Sequence, residues 1–176
     1  MNAPLAERVL TVLRTVPDFP KPGIQFKDIT PLLADPSLMR EVVEAMVAPF
    51  VSLDISHVVG IESRGFLFGV PAALALNRAF VPARKPGKLP MPSVRESFSL
   101  EYGSDALEIH ADAISAESRV LVVDDILATG GTVAATCRIV ERMGGTVAGV
   151  SVLGEIAGLR DAQLLARFEV AALLSF

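Results

Sequence analysis

Short apolar runs alternate with stretches of helical spacing along most of this chain. Leu5, Val9, Val12 and Leu13 share one face at helical spacing, so residues 4 to about 15 read as an amphipathic helix. Residues 17–30 are punctuated by Pro17, Pro20, Pro22 and Gly23 and read as irregular. Pro31 and Asp35-Pro36 flank a short turn or helix. Ser37 is then placed to N-cap a helix to about residue 49, with Glu41 and Glu44 on its wet face. Residues 57–61 form a buried strand ending in Glu62-Ser63-Arg64-Gly65, and a helix follows to about residue 76. Residues 79–83 are another short strand. Residues 120–123 are four apolar residues, three of them valine, the pattern of a strand buried on both faces. A helix from Val133 to about Met143 ends at Gly144-Gly145. A strand at 147–153, a helix at 159–167 and a strand at 170–174 close the chain. Strands alternating with helices predict an α/β fold, a mostly parallel sheet flanked by helices. Ligands of such sheets bind at the carboxyl ends of strands, where 62–65 and 124–132 both lie.

The pattern breaks between Arg84 and Ser104, which hold Pro86, Gly87, Pro90, Pro92 and Gly103. A loop that long in a compact domain is usually a lid or disordered. Alternation at 98–102 and 107–109 suggests a two-stranded ribbon within or after it. Arg84, Lys85 and Lys88 at its entry favour a lid over a floppy insertion.

The most specific chemistry lies at 120–132. Asp124-Asp125 follow where the apolar strand is expected to end. A loop from Ala128 to Thr132 then offers two glycines and two hydroxyls ahead of a helix. Amides at a glycine turn opening a helix form an anion nest, strengthened by the helix dipole. Carboxylates beside such a nest would repel a bare phosphate. A ligand carrying both a phosphate and vicinal hydroxyls reconciles them, and that ligand is a ribose 5-phosphate. Other phosphate loops fit worse: no Gly-x-Gly-x-x-Gly follows a strand, and Gly87-Lys88 is followed by Leu89, so it is not a P-loop.

Composition narrows the picture. The 176 residues suffice for one domain with a full core, and 51% hydrophobic against 20% charged residues indicates a globular chain. A net charge of −4 and a pI near 5.2 argue against a nucleic-acid binder with a broad basic surface. The lone Cys137 cannot form an internal disulfide, which fits a reducing cytoplasm, and it is expected to be a packed thiol. No apolar run has the length of a membrane span, and the N-terminus lacks a signal-peptide pattern, so a cytoplasmic protein without a membrane partner is expected.

The stretch 120–132 resembles the signature of the type I phosphoribosyltransferases. Gly60-Ile61-Glu62-Ser63-Arg64-Gly65-Phe66, residues 84–90 and Ser99-Leu100-Glu101-Tyr102-Gly103 are similar to the adenine branch of that family, as is the stretch from Asp18 to Pro31. Together these cover about residues 18–154 in the right order. The resemblance implies a single domain over 1–176 with the type I phosphoribosyltransferase fold, a small hood at about 17–31 and a flexible lid at about 84–104. It implies a purine-salvage glycosyltransferase that makes AMP and pyrophosphate from adenine and 5-phosphoribosyl 1-pyrophosphate. It also implies Mg²⁺, bound through substrate and water rather than directly by side chains, and a homodimer.

Residue roles follow from the same resemblance. Asp124 and Asp125 would hold the ribose hydroxyls, and Ala128, Thr129, Gly130, Gly131 and Thr132 the 5-phosphate. Arg64, Arg84, Lys85 and Lys88 would face the pyrophosphate. Phe26 would stack on the purine, and backbone groups of Gln25 and Lys27 would read its edge. Glu101 would exchange a proton with the base. Two other readings stay open: transfer to a different purine, or a regulator that only senses phosphoribosyl pyrophosphate. The second would leave Glu101 without a purpose. His57 and His110 are expected to be structural, Arg138, Glu141 and Arg142 to form a solvated helix face, and nothing after about 154 to belong to the site.

Overall fold

A computed structural model describes residues 3–99 and 104–176. In chain order the elements are helix α1 (Leu5–Val12), strands β1 (Arg14–Pro17) and β2 (Gln25–Asp28), helices α2 (Thr30–Leu33) and α3 (Pro36–Val47), strand β3 (His57–Ile61), helix α4 (Gly65–Leu76), strands β4 (Ala79–Ala83), β5 (Ser93–Ser99), β6 (Ser104–His110) and β7 (Arg119–Leu127), helix α5 (Gly131–Arg142), strand β8 (Thr146–Glu155), helix α6 (Ala162–Leu165) and strand β9 (Val170–Ser175). The central sheet has the order β4-β3-β7-β8-β9, and all its pairings are parallel. Val120 and Val122 face a core shared with α5 and the β5–β6 hairpin, while Leu121 and Val123 face one shared with α1, α3 and α4. Burial on both faces is why this strand is a continuous apolar run.

The connections decide where a ligand can enter. The β3–α4–β4 unit runs toward one edge of the sheet, and β7–α5–β8 toward the other. The direction therefore reverses between β3 and β7, and a crevice opens there at the carboxyl ends of both strands. Strand β3 leaves the sheet after Ile61, and its pairing with β7 ends at Gly60 and Val123. Strand β7 continues beside β8 as far as Leu127 and Glu155.

That continuation corrects the expected strand end. The two aspartates lie inside β7, because β8 is long enough to keep pairing after β3 has gone. Other boundaries shift for local reasons. Asp35, not Ser37, caps α3: Pro36 fills the first helical position, and the Asp35 carboxylate accepts from the N–H groups of Ser37 (3.0 Å) and Leu38 (2.9 Å). Glu41 is half-buried, taking both guanidinium nitrogens of Arg8 at 2.7 Å and tying α1 to α3. Helix α1 stops at Val12, and Arg14 and Thr15 belong to β1. The 17–30 stretch is not wholly irregular, since β1 and β2 pair antiparallel with Val16 opposite Phe26. The final helix shrinks to Ala162–Leu165, capped by Asp161.

Strands β5 and β6 form an antiparallel hairpin packed on α5, with Phe98, Leu107 and Ile109 buried. Arg138 and Arg142 both bond the Glu96 carboxylate at 2.7 Å, and Arg142 also donates to the Arg95 carbonyl. Glu141 pairs with Arg167. These three charges are therefore clamps between elements, where the sequence suggested only a solvated face. Cys137 is buried on α5, and burial pushes its thiol up to about 12, so it is not a thiolate nucleophile.

Candidate active site

Residues 62–65 and 124–132 meet in the β3–β7 crevice. Gly65 opens α4 so close to β7 that a Cβ there would lie 2.9 Å from both Asp124 Oδ1 and the Val123 carbonyl. Only glycine allows this approach. The Glu62–Ser63 peptide in the same turn is cis.

Asp124 and Asp125 alternate across β7, so their carboxyls leave on opposite faces. Asp124 is half-buried and accepts the Asp125 N–H at 2.9 Å. Burial, with the neighbouring Asp125 charge behind it, pushes its carboxyl well above the usual carboxylate range. Asp125 is buried and is also raised by burial, against the pull of Arg64. Arg64 Nε lies 2.8 Å from Asp125 Oδ2.

Beyond Leu127 the chain turns through Ala128 and Thr129 to Gly130, whose φ of +90° suits glycine, and into α5. The first intrahelical bond runs from Ala134 N–H to the Gly130 carbonyl at 2.8 Å. The N–H groups of Gly131, Thr132 and Val133 have no partner within the helix, and Gly130 supplies no side-chain cap. A cavity of about 80 Å³ lies at this helix end, lined by Asp124, Ala128, Thr129, Gly130 and Thr132 among others. Acid, glycine turn and helix dipole thus share one small space, which is suited to a phosphate carried on a hydroxylated sugar.

The β1–β2 hairpin overhangs the crevice. Phe26 packs edge-on against Phe19, with centroids 5.1 Å apart. The Arg64 guanidinium carbon lies 5.0 Å from the Phe26 centroid, and its Nη1 reaches the Lys27 carbonyl at 3.5 Å. One side chain therefore spans from the aromatic face to Asp125. Gln25, beside Phe26 on β2, is exposed.

Arg84 and Lys85 rest on carboxylates. Glu62 accepts from Arg84 Nε (3.2 Å) and from the Lys85 N–H (2.8 Å), and Arg84 holds its carboxyl below the ordinary range. Lys85 pairs with Asp105. Lys88 has no ion pair among the described residues. Arg64 and Arg84 thus sit at the crevice already engaged, so an anion entering there would compete with Asp125 and Glu62 for them. Glu101 falls outside the described residues.

The sequence reading missed Glu62, whose partners lie more than twenty positions away in the chain. It also missed the 156–165 segment, which backs the phosphate-type loop. No local signal marked either. No cluster of three or more metal-binding side chains occurs among the described residues. Asp124, with one oxygen committed to a backbone N–H, suits a hard cation held mainly by phosphate oxygens and water.

A phosphoribosyl transferase domain model matches residues 38–159. The adenine phosphoribosyltransferase of Myxococcus xanthus (strain DK1622) is 60% identical over 164 residues, covering 93% of this chain and 89% of that protein. The crystal structure of adenine phosphoribosyltransferase from Rhodothermus marinus DSM 4252 is similar at 50% identity and a TM-score of 0.91, covering 99% of this chain and 100% of that one. The Saccharomyces cerevisiae enzyme, solved with an imino-altritol bisphosphate and adenine, is 39% identical with a TM-score of 0.91, covering 97% and 98%.

Proposed function

The chain belongs to the phosphoribosyl transferase family, and from that premise we infer that it acts as an adenine phosphoribosyltransferase. It transfers the phosphoribosyl group of 5-phosphoribosyl 1-pyrophosphate to adenine, releasing pyrophosphate and forming AMP, a pentosyl transfer of purine salvage. The observation that carries the site reading is the span of Arg64. Its guanidinium touches the Phe26 ring and Asp125 together, so a base slot and a ribose-binding carboxylate lie one planar group apart.

In this reading the loop amides at 128–132 hold the 5-phosphate, and Asp124 and Asp125 take the ribose hydroxyls. The sugar carbon becomes cationic as pyrophosphate departs, and the aspartate charges favour that state. Arg64, Arg84 and Lys85 exchange their carboxylate partners for the leaving pyrophosphate, and Lys88 binds it as well. Mg²⁺, carried on the substrate, supplies neutralising charge to the pyrophosphate oxygens. Phe26 stacks on the purine, and the Gln25 and Lys27 backbones read its edge. Within the proposed lid at 84–104, β5 is packed on α5, so closure falls to the residues on either side of it, with Glu101 exchanging the proton with the base while water is excluded. With Mg²⁺ the protein is expected to convert adenine to AMP and to leave hypoxanthine and guanine nearly untouched. An assay with radiolabelled bases checks this, and a preference for either oxopurine would overturn the substrate assignment.

The single domain over 1–176, the cytoplasmic location and the homodimer belong to the same proposal. No helix among the described residues is long and apolar enough to cross a membrane. The dimer has a physical motive in α4, which is apolar all round yet exposes Leu67 (42%), Val70 (41%) and Leu74 (77%) along one stripe. Val70→Glu is expected to shift the protein to a monomer in sedimentation velocity. A Val70→Glu variant that sediments as wild type would remove α4 from the interface.

A further inference from the structure

The chain between β8 and β9 comes back to the underside of the loop at 128–130. The Ile156 N–H donates to the Leu127 carbonyl at 2.9 Å, and the Asp161 N–H to the Thr129 carbonyl at 3.0 Å. Leu165, 4% exposed, packs beneath Gly130, where a Cβ would meet its Cδ1 at 3.2 Å. An anion nest needs its amides turned to the ligand and its carbonyls turned away, and each carbonyl turned inward must find a donor. The 156–165 segment supplies two such donors and an apolar seat, all on the side of the loop away from the anion. Asp161 also caps α6 through its side chain, accepting from Gln163 N–H at 2.9 Å. The segment is therefore held in its own turn while its backbone holds the loop.

We propose that Asp161 and Leu165 are positioning residues for the 5-phosphate, setting the curvature of the 128–130 loop through the Asp161–Thr129 hydrogen bond and the Leu165 seat. This rests on the reading of that loop as the phosphate site. The effect is selective, because neither residue touches the hood or the 62–65 turn in the contacts described. Turning the amides of one subsite weakens the ligand hydrogen-bonded there, while a ligand held by other elements keeps its contacts.

Two kinds of variant test it. Asp161 has φ −72°, which proline adopts, so Asp161→Pro removes the N–H given to Thr129 together with the cap. Asp161→Ala removes the cap alone. Asp161→Pro is expected to raise the KM for phosphoribosyl pyrophosphate, and the Kd for AMP and for ribose 5-phosphate, up to about tenfold over Asp161→Ala, the weight of one misdirected hydrogen bond. The KM for adenine and kcat at saturation are expected to stay within about twofold. Leu165→Ala is expected to show the same split. If it fails to fold, the Asp161 pair still decides. Equal phosphate-ligand affinity in Asp161→Pro and Asp161→Ala overturns the proposal, as does an adenine KM raised in parallel, which would mean general loosening. A wild-type protein that binds neither AMP nor ribose 5-phosphate overturns the phosphate-site reading and the proposal with it. Wild-type binding with unaffected variants overturns the proposal alone.

Discussion

Asp124→Asn and Asp125→Asn should each lower kcat/KM about 10²–10³-fold, the usual consequence of removing one preorganised electrostatic group, roughly 2.7–4 kcal/mol. Burial raises both carboxyls, so each variant should escape a cost that the ionised aspartate carries. Asp124 titrates above its ordinary 3.8 because burial and the Asp125 charge disfavour its ionised form. The folded state therefore binds more protons than the unfolded state between 3.8 and the raised value. Stability falls as pH climbs through that window. Asparagine carries no such cost, so Asp124→Asn should melt at or above the wild-type temperature at neutral pH and lose that advantage in acid. Asp125→Asn also strips Arg64 of its partner. Arg64 keeps 36% of its side chain exposed, so losing this partner should offset the relief by about 1–2 kcal/mol rather than the ~3–5 kcal/mol of a fully buried pair. Full activity in both variants would remove the carboxylates from ribose binding. A lowered melting temperature for Asp124→Asn at neutral pH would contradict the burial argument.

Arg64→Ala should lower turnover about 10²-fold with phosphoribosyl pyrophosphate while strengthening the binding of adenine alone. The guanidinium lies 5.0 Å from the centroid of Phe26, the ring on which the purine is proposed to stack, and beside Asp125. Adenine must displace a cation–π contact of roughly 0.5–1 kcal/mol, which corresponds to about a two- to fivefold weaker affinity. Pyrophosphate should draw Arg64 away and relieve that competition, so wild-type adenine affinity should rise by a similar factor in its presence. Linkage requires pyrophosphate affinity to rise equally with adenine. In Arg64→Ala the coupling should vanish. Calorimetric titration of adenine with and without pyrophosphate reads it. Uncoupled binding in the wild type, or no gain in the variant, would show that Arg64 does not compete for the base slot.

Strands β3 and β4 were legible to the residue, and helix α4 nearly so, because each is marked locally. A short, mostly apolar run bounded by polar residues, followed by helical spacing, is a one-dimensional signal. The hood strands were not legible. The four residues of β1 are all exposed and three of the four in β2 are half-buried, so neither alternates, and they are strands only because Arg14 pairs with Asp28 and Val16 lies opposite Phe26. Helix α6 was overestimated because the Asp161 N–H is committed to Thr129 and cannot extend a helical turn.

The sequence by itself determined the α/β alternation, the phosphate-type loop after the acidic pair and the residue types gathered for the chemistry, since each is encoded within a dozen consecutive positions. Only the tertiary structure decided that β3 ends while β7 runs on and opens the crevice. It also decided that Arg64 reaches both Phe26 and Asp125, that Glu62 holds the lid-entry Arg84, and that residues 156–165 brace the loop from behind. These contacts join positions 20 to 60 apart in the chain for most pairs. Strand order and packing set such distances, and neither leaves a periodic trace in the sequence.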